Sequence, residues 1–393
     1  MFTLRATIYS VVALLSTIDI ASGQQPKRAD RDPLPILPAE QAWIVTLPSP
    51  TSAGGAMDAE RIYVPLQSEA LTALDRQTGA ILWVRSIESA WPPVLHDGVV
   101  YLAASDELHA LDPLTGESIW RVPLGRALAA PLVFDTGWLI AVGGTGDVEA
   151  FRAADGQRLW TQSLGAAPRS PAVAGDDDAI YFTLADGRVV SIDLRDGSSR
   201  WSQQLPGMLS EPAAAEGRVF VGSTDNFFYA LAADTGDVEW KWRSGGDVNG
   251  AAADGELVFI TSLDNIIRAV NRGNGNQRWR KATGSRPVIP PRAVAGVVIV
   301  SGIAKSLTAF SARTGEQVGT YVAPSDLQGP PLIDPRLRPF RVAAAVVMRD
   351  GRVAGFYPVA MLFRDHPLVP LAATLPGRTL QRERLPAPSR TGS

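Results

Sequence analysis

The chain has 393 residues, of which 46% are hydrophobic and 20% charged, with a formal net charge of −3. That balance excludes collagen-like and disordered classes and offers no basic surface for phosphate-driven nucleic-acid binding. With no cysteine and only three histidines (His96, His109, His366), disulfides, Cys-ligated zinc, iron–sulfur clusters and thioether-linked haem are excluded, and a His-based metal centre or triad has little material.

Residues 1–23 carry one cation, Arg5, then an apolar run from Ile8 to about Ile18, then Ala21-Ser22-Gly23. This is the layout of a secretory signal, and the run is too short and too polar to span a membrane. Residues 24–40 (QQPKRADRDPLPILPAE) are Pro-rich and charged and read as an extended tether.

Beyond the tether the chain repeats itself. A glycine is followed four residues later by tryptophan at Gly79/Trp83, Gly116/Trp120, Gly156/Trp160, Gly197/Trp201, Gly236/Trp240 and Gly275/Trp279, and Gly315 precedes Gly319 where Trp would stand. Successive anchor glycines lie 37 to 41 residues apart, the period of a propeller or a helical array. Each unit resolves into four short β-type runs, such as Pro93–Leu95, Val99–Ala103, Leu108–Leu111 and Ser118–Val122, split by turn residues, with no helical period. Four strands per repeat make a propeller blade. Ala172-Val173-Ala174, Ala213–Ala215 and Ala251–Ala253 are small enough for strand A, beside the axis, and the tryptophans fall on outer strand D, where blades diverge.

Trp43–Leu47 resembles a D strand with no A to C strands before it, whereas Arg341–Met348 and Arg352–Phe356 are inner strands with no D strand after them. Joining the ends gives an all-β, eight-bladed propeller of four antiparallel strands per blade, closed by the N-terminal strand, with seven blades as the alternative count. From Arg364 the pattern is lost, and residues 364–393, with Arg378, Arg382, Arg384 and Arg390 among prolines, read as a solvated tail.

The phrases Ala73-Leu74-Asp75-Arg76-Gln77-Thr78-Gly79-Ala80-Ile81-Leu82-Trp83 and Ala110-Leu111-Asp112-Pro113-Leu114-Thr115-Gly116-Glu117-Ser118-Ile119-Trp120 resemble the A-x-D-x-x-T-G-x-x-x-W repeat of quinoprotein-like (PQQ-type) propellers. Degenerate copies end at Trp160, Trp201, Trp240 and Trp279, so the resemblance covers roughly residues 41–363. WD40 repeats are disfavoured because no Asp follows the tryptophans. The resemblance implies one of two functions. Quinoprotein dehydrogenases hold quinone and calcium over the funnel and usually carry a Cys pair, which this chain lacks. BamB-type scaffolds, similar in chain length and blade number, are non-catalytic periplasmic proteins of outer-membrane assembly that usually carry a lipidated Cys, which is also lacking here. The leading expectation is a secreted or periplasmic, monomeric, non-catalytic scaffold for protein–protein contact with an assembly barrel or peptide segment. Quinone-dependent oxidation and a quinone or small-ligand sensor stand as the alternatives. No catalytic residue, metal or cofactor is assigned, and neither nucleic acid nor a transmembrane segment is expected.

Propellers bind through the loops joining strand D to the next A and strand B to C. Those loops carry Glu88, Trp91, Arg126, Arg169, Glu211, Asn249, Arg286 and Gln328, together with Met208, Asp247 and Asp326. This is a mixed-charge face with one prominent aromatic, Trp91, suited to a protein or peptide. The run Asp176-Asp177-Asp178 reads as a solvated A-to-B turn and Gly144-Thr145-Gly146 as a simple turn, with no nucleophile elbow or phosphate loop anywhere.

Overall fold

The computed structural model describes residues 39–358 except 177, 295, 304 and 335–341. The expected leader, most of the tether and the tail lie outside the described residues. Ala39 and Glu40, assigned from sequence to the tether, begin a strand.

All 32 described strands fall into eight four-stranded antiparallel sheets. In seven blades the strands follow in chain order, from Ala56–Met57, Arg61–Leu66, Ala70–Asp75 and Ile81–Arg85 in blade 1 to Arg292–Val294, Val297–Ser301, Ser306–Ser311 and Gln317–Val322 in blade 7. Blade 8 takes Leu332–Ile333, Ala344–Val347 and Arg352–Pro358 as A to C and completes itself with the N-terminal strand Ala39–Thr46, antiparallel to Arg352–Pro358. The count is eight, and no edge is left at the junction. Ala-rich segments occupy strand A, at Val173–Ala174, Ala213–Ala215 and within Val248–Asp254. The core lies between blades, where strands B and C bury both faces. Ile140, Val142 and Val148 of blade 3, for example, meet Ile180, Phe182 and Val190 of blade 4.

The tryptophan anchors reach forward. The Nε1 of Trp43, Trp83, Trp120, Trp160, Trp201, Trp240 and Trp279 donates to a carbonyl in the C-to-D turn of the following blade, Arg76, Pro113, Ala153, Leu194, Ala233, Arg272 and Ala312 respectively, at 2.8–3.1 Å. Each indole also covers the next anchor glycine: a Cβ at Gly236, already at φ +78°, would lie 2.5 Å from Trp201. The glycines thus satisfy a left-handed turn and a close ring approach together. Asp75 and Asp112 cap the same turns, each accepting from two backbone N–H groups two and three residues ahead.

This geometry accounts for Gly319. Strand C of blade 8 runs to Pro358 and its D strand comes from the other end of the described chain, so blade 8 has no continuous C-to-D turn to receive an indole. Tyr321 of blade 7 instead meets Phe356 of blade 8 edge-on, with centroids 4.7 Å apart. On the other side of blade 8, the buried Arg76 donates to the carbonyls of Val342 (2.5 Å) and Asp58 (2.8 Å) and pairs with Asp334 at 2.9 Å.

In blade 4 the carboxylate of Asp193 accepts from Arg195 (2.7 Å) and Arg200 (2.8 Å), which hold it well below the usual carboxylate range. A depressed folded pKa stabilises above the unfolded value, about 3.9, and the benefit is lost as pH falls through the acid range. Asp193→Asn is therefore expected to be less stable than the native chain at neutral pH, with the difference shrinking below about pH 4. Paired urea titrations at both pH values check this, and a pH-independent difference would contradict it.

Candidate functional face

The D-to-A and B-to-C loops share one face of the ring and are stitched together there. Bridges join Thr51 to Leu66, Leu128 to Gly143, Pro168 to Leu184, Leu209 to Ser223, Pro287 to Gly302 and Leu327 to Met348. Buried leucines 47, 124, 164 and 205 follow their D strands and anchor the loops. The loops are thus built as part of the blades, a rigid base for contact residues.

Charge on this face is largely paired. Arg126 binds Asp147 at 2.6 Å and the buried Glu149 at 3.3 Å, and Glu149 is also reached by Arg158 at 3.3 Å. Asp186 pairs with Arg188, Asp264 with Arg268 and Asp350 with Arg352. Among the described residues Arg169, Arg286 and Lys305 are exposed and have no ion-pair partner.

The sequence-derived candidates separate into two groups. Asn249 donates to the Pro287 carbonyl (2.8 Å) and Gln328 to that of Ser52 (3.0 Å), so both tie neighbouring loops, and Arg126 is held by its carboxylates. Glu88, Arg169 and Arg286 are exposed, and Glu88 accepts from Ser105 at 3.2 Å. Trp91 is half-buried, its backbone fixed by the buried Ser89, whose hydroxyl donates to the Trp91 carbonyl at 2.9 Å. Glu211 is also half-buried. Burial pushes its carboxyl up, opposed by Arg292 on the innermost strand of blade 7. Sequence reasoning passed over three aliphatics accessible here, Val288 (50% exposed), Ile303 (62%) and Val322 (67%). Their place in a loop, a turn and a strand end was the only available signal for them.

The other face carries open hollows among the described residues. Three open ones, of about 420, 630 and 710 Å³, lie among the A-to-B and C-to-D turns. The second and third meet at His96, which stacks on Phe134 at 3.9 Å. Among the described residues no group of three or more His, Asp or Glu is placed to hold a metal ion.

Eight blades, seven of whose junctions are clamped by forward-reaching tryptophans, define a PQQ-like β-propeller. The chain belongs to the family described as outer membrane protein assembly factor BamB, whose model matches residues 37–109, 67–211, 144–249 and 206–354 in overlapping copies. The BamB of Burkholderia pseudomallei is 28% identical over 170 residues, 42% of this chain and 43% of that protein. A quinohemoprotein alcohol dehydrogenase, ADH IIB of Pseudomonas putida, is 24% identical over 199 residues, covering 46% of this chain and 24% of the enzyme. The chain thus spans less than half the length of these curated relatives. The crystal structure of BamB from Moraxella catarrhalis superposes with a TM-score of 0.66 and 15% identity over 81% of this chain and 99% of that one, a likeness of fold.

Proposed function

We propose that the protein is a periplasmic docking scaffold in outer-membrane protein assembly and that its partner, an assembly barrel component or a peptide segment, binds the face of the D-to-A and B-to-C loops. The observation that carries the reading is the match to the BamB family along residues 37–354, combined with a loop face stitched into the blades yet carrying the exposed, unpaired Arg169 and, on another loop, the half-buried Trp91. A scaffold needs this combination, a surface that does not rearrange and a few accessible anchors, since aromatic and Arg side chains dominate interface energetics. The reading places residues 1–23 as an export signal, residues 364–393 as a solvated tail and the propeller as a monomer.

In-cell crosslinking of the tagged full chain in its native host, followed by mass spectrometry, is expected to recover an outer-membrane assembly component. The combined variant Trp91→Ala, Arg169→Glu should lower that recovery at least tenfold, the loss of about 1.4 kcal/mol or more that hot-spot residues supply. Recovery unchanged by the variant would move the interface elsewhere, and failure to recover any envelope partner would overturn the reading. The match to a quinohemoprotein alcohol dehydrogenase motivates a second measurement, titration with PQQ and Ca²⁺. Saturable binding there would favour the oxidoreductase alternative.

A further inference from the structure

The B-to-C turns of blades 4, 5, 6 and 8 share one design. Asp186, Asp225, Asp264 and Asp350 each accept from the backbone N–H two residues ahead, at 2.8–3.2 Å. The next residue takes a left-handed conformation and is Gly187, Asn226, Asn265 or Gly351, the residue types that tolerate it. Blade 7 departs from the design at every position. Its turn reads Ile303-Ala304-Lys305, so the capping Asp is replaced by Ala304 in the sequence, and a lysine occupies the left-handed position at φ 60°. A lysine with its long apolar stem is a poor choice there on conformational grounds. Blades 1, 2 and 3 also turn without the capping Asp, at Ser68-Glu69, Ser105-Asp106 and Thr145-Gly146, and Glu69 is left-handed at φ 57°, so blade 7 is set apart by placing a cation at the left-handed position beside an exposed isoleucine.

The departure changes the surface chemistry of one corner. Ile303 is 62% exposed at the turn, and its N–H donates to the Arg286 carbonyl at 3.1 Å, which brings the preceding loop with Arg286 and the half-exposed Val288 alongside. The end of strand D adds Val322, 67% exposed, paired in the ladder with Ser306, while the N–H of Ala323 donates to the Lys305 carbonyl. The corner therefore presents three branched aliphatics and two cations, and neither cation has an ion-pair partner among the described residues. The neighbouring turns in blades 6 and 8 neutralise their own acids, through Arg268 on Asp264 and Arg352 on Asp350.

We infer that this blade 7 corner is a membrane-contact site that takes an anionic phospholipid surface. Charge complementarity selects the partner: unpaired Lys and Arg flanking exposed aliphatics are the composition of a shallow interfacial contact, the aliphatics entering the headgroup boundary while the cations meet lipid phosphates. The shape agrees, because the corner is a turn tip and a strand end. A protein hot spot is the poorer fit, since those are built around buried Trp, Tyr and Arg in pockets, and the exposed apolar groups here are Val and Ile. Two cations and three side chains give a weak, reversible contact that orients a propeller and does not anchor it. The corner lies on the same loop face as the proposed docking surface and shares Arg286 with its candidates, but the occupant inferred here is a lipid surface and not a protein.

The test is flotation of the full chain with vesicles of mixed phosphatidylglycerol and phosphatidylcholine, compared with pure phosphatidylcholine. Binding is expected to require the anionic lipid and to fall with salt. Arg286→Glu and Lys305→Glu should each weaken it on the order of fivefold or more, Ile303→Asp should weaken it comparably, and Arg169→Glu elsewhere on the same face should leave it unchanged. Lys305→Gly separates contact from stability: by fitting the left-handed position it should keep or raise the melting temperature while vesicle binding drops. Absence of flotation overturns the inference, as does flotation indifferent to phosphatidylglycerol, to the blade 7 variants or to Lys305→Gly. So does a result in which those variants abolish capture of an envelope protein and leave flotation intact, which would make the corner a protein interface.

Discussion

Replacing Trp201 with alanine should lower the unfolding free energy by about 3–5 kcal/mol, the range for truncating a large buried aromatic. Trp201 is 9% exposed, packs against Tyr181 with centroids 5.8 Å apart, covers Gly236 of the next blade and donates to the Ala233 carbonyl at 2.8 Å. Alanine removes all of these contacts, and the hollow cannot collapse easily because both walls are strand ladders. The carbonyl left behind adds to the loss unless water reaches it. A shift of the urea midpoint at constant slope measures the effect. A loss below about 1 kcal/mol, the ordinary surface range, would mean that the indole does not hold the blades together.

Deleting residues 39–46 should have the larger effect. The segment forms the outer strand of blade 8, and its removal exposes the length of Arg352–Pro358 as an unpaired edge. It also removes Trp43 from Gly79 and from Gly355, where a Cβ would stand 2.5 Å from the indole. The lost aromatic alone is worth about 3–5 kcal/mol, against a total stability of typically 5–15 kcal/mol, so the ladder loss on top of it should abolish cooperative unfolding. Differential scanning calorimetry is expected to show no single transition, with aggregation through the open edge. Moving the same segment to follow Pro358 through a short turn should restore the transition. A deletion that left the melting temperature in place would show that the ring does not depend on this closure.

The fold was legible because a propeller writes its period into the sequence. Gly at a left-handed turn and Trp four residues later recur for reasons of backbone and volume that no other residue pair meets. The unmatched Trp43–Leu47 segment likewise told how the ring closes. What the sequence did not show is where each ring points: the indole of Trp120 serves Gly156 of the next blade and not Gly116, its partner in the repeat. Pairing across blades is a tertiary fact, and so is the meaning of Gly319. The candidate face was legible only as a set of loops. Arg126 and Arg286 look alike in sequence, yet one is consumed by Asp147 and Glu149, neither of which a turn pattern reveals as its partner, and the other is free to meet a ligand. Ile303 and Lys305 become informative only when the turns of other blades are laid beside theirs.

The pairing of Ala39–Thr46 with Arg352–Pro358 also sets an order of events. The first described strand of the ring is completed by a partner roughly 300 residues further along the chain, so a strand bearing Trp43, Ile44 and Val45 has no local partner, and contacts so distant along the chain are slow to form. Until the two ends of the described chain meet, blade 8 is one strand short and the ladder of Arg352–Pro358 is an open edge, the form of the chain most exposed to mispairing.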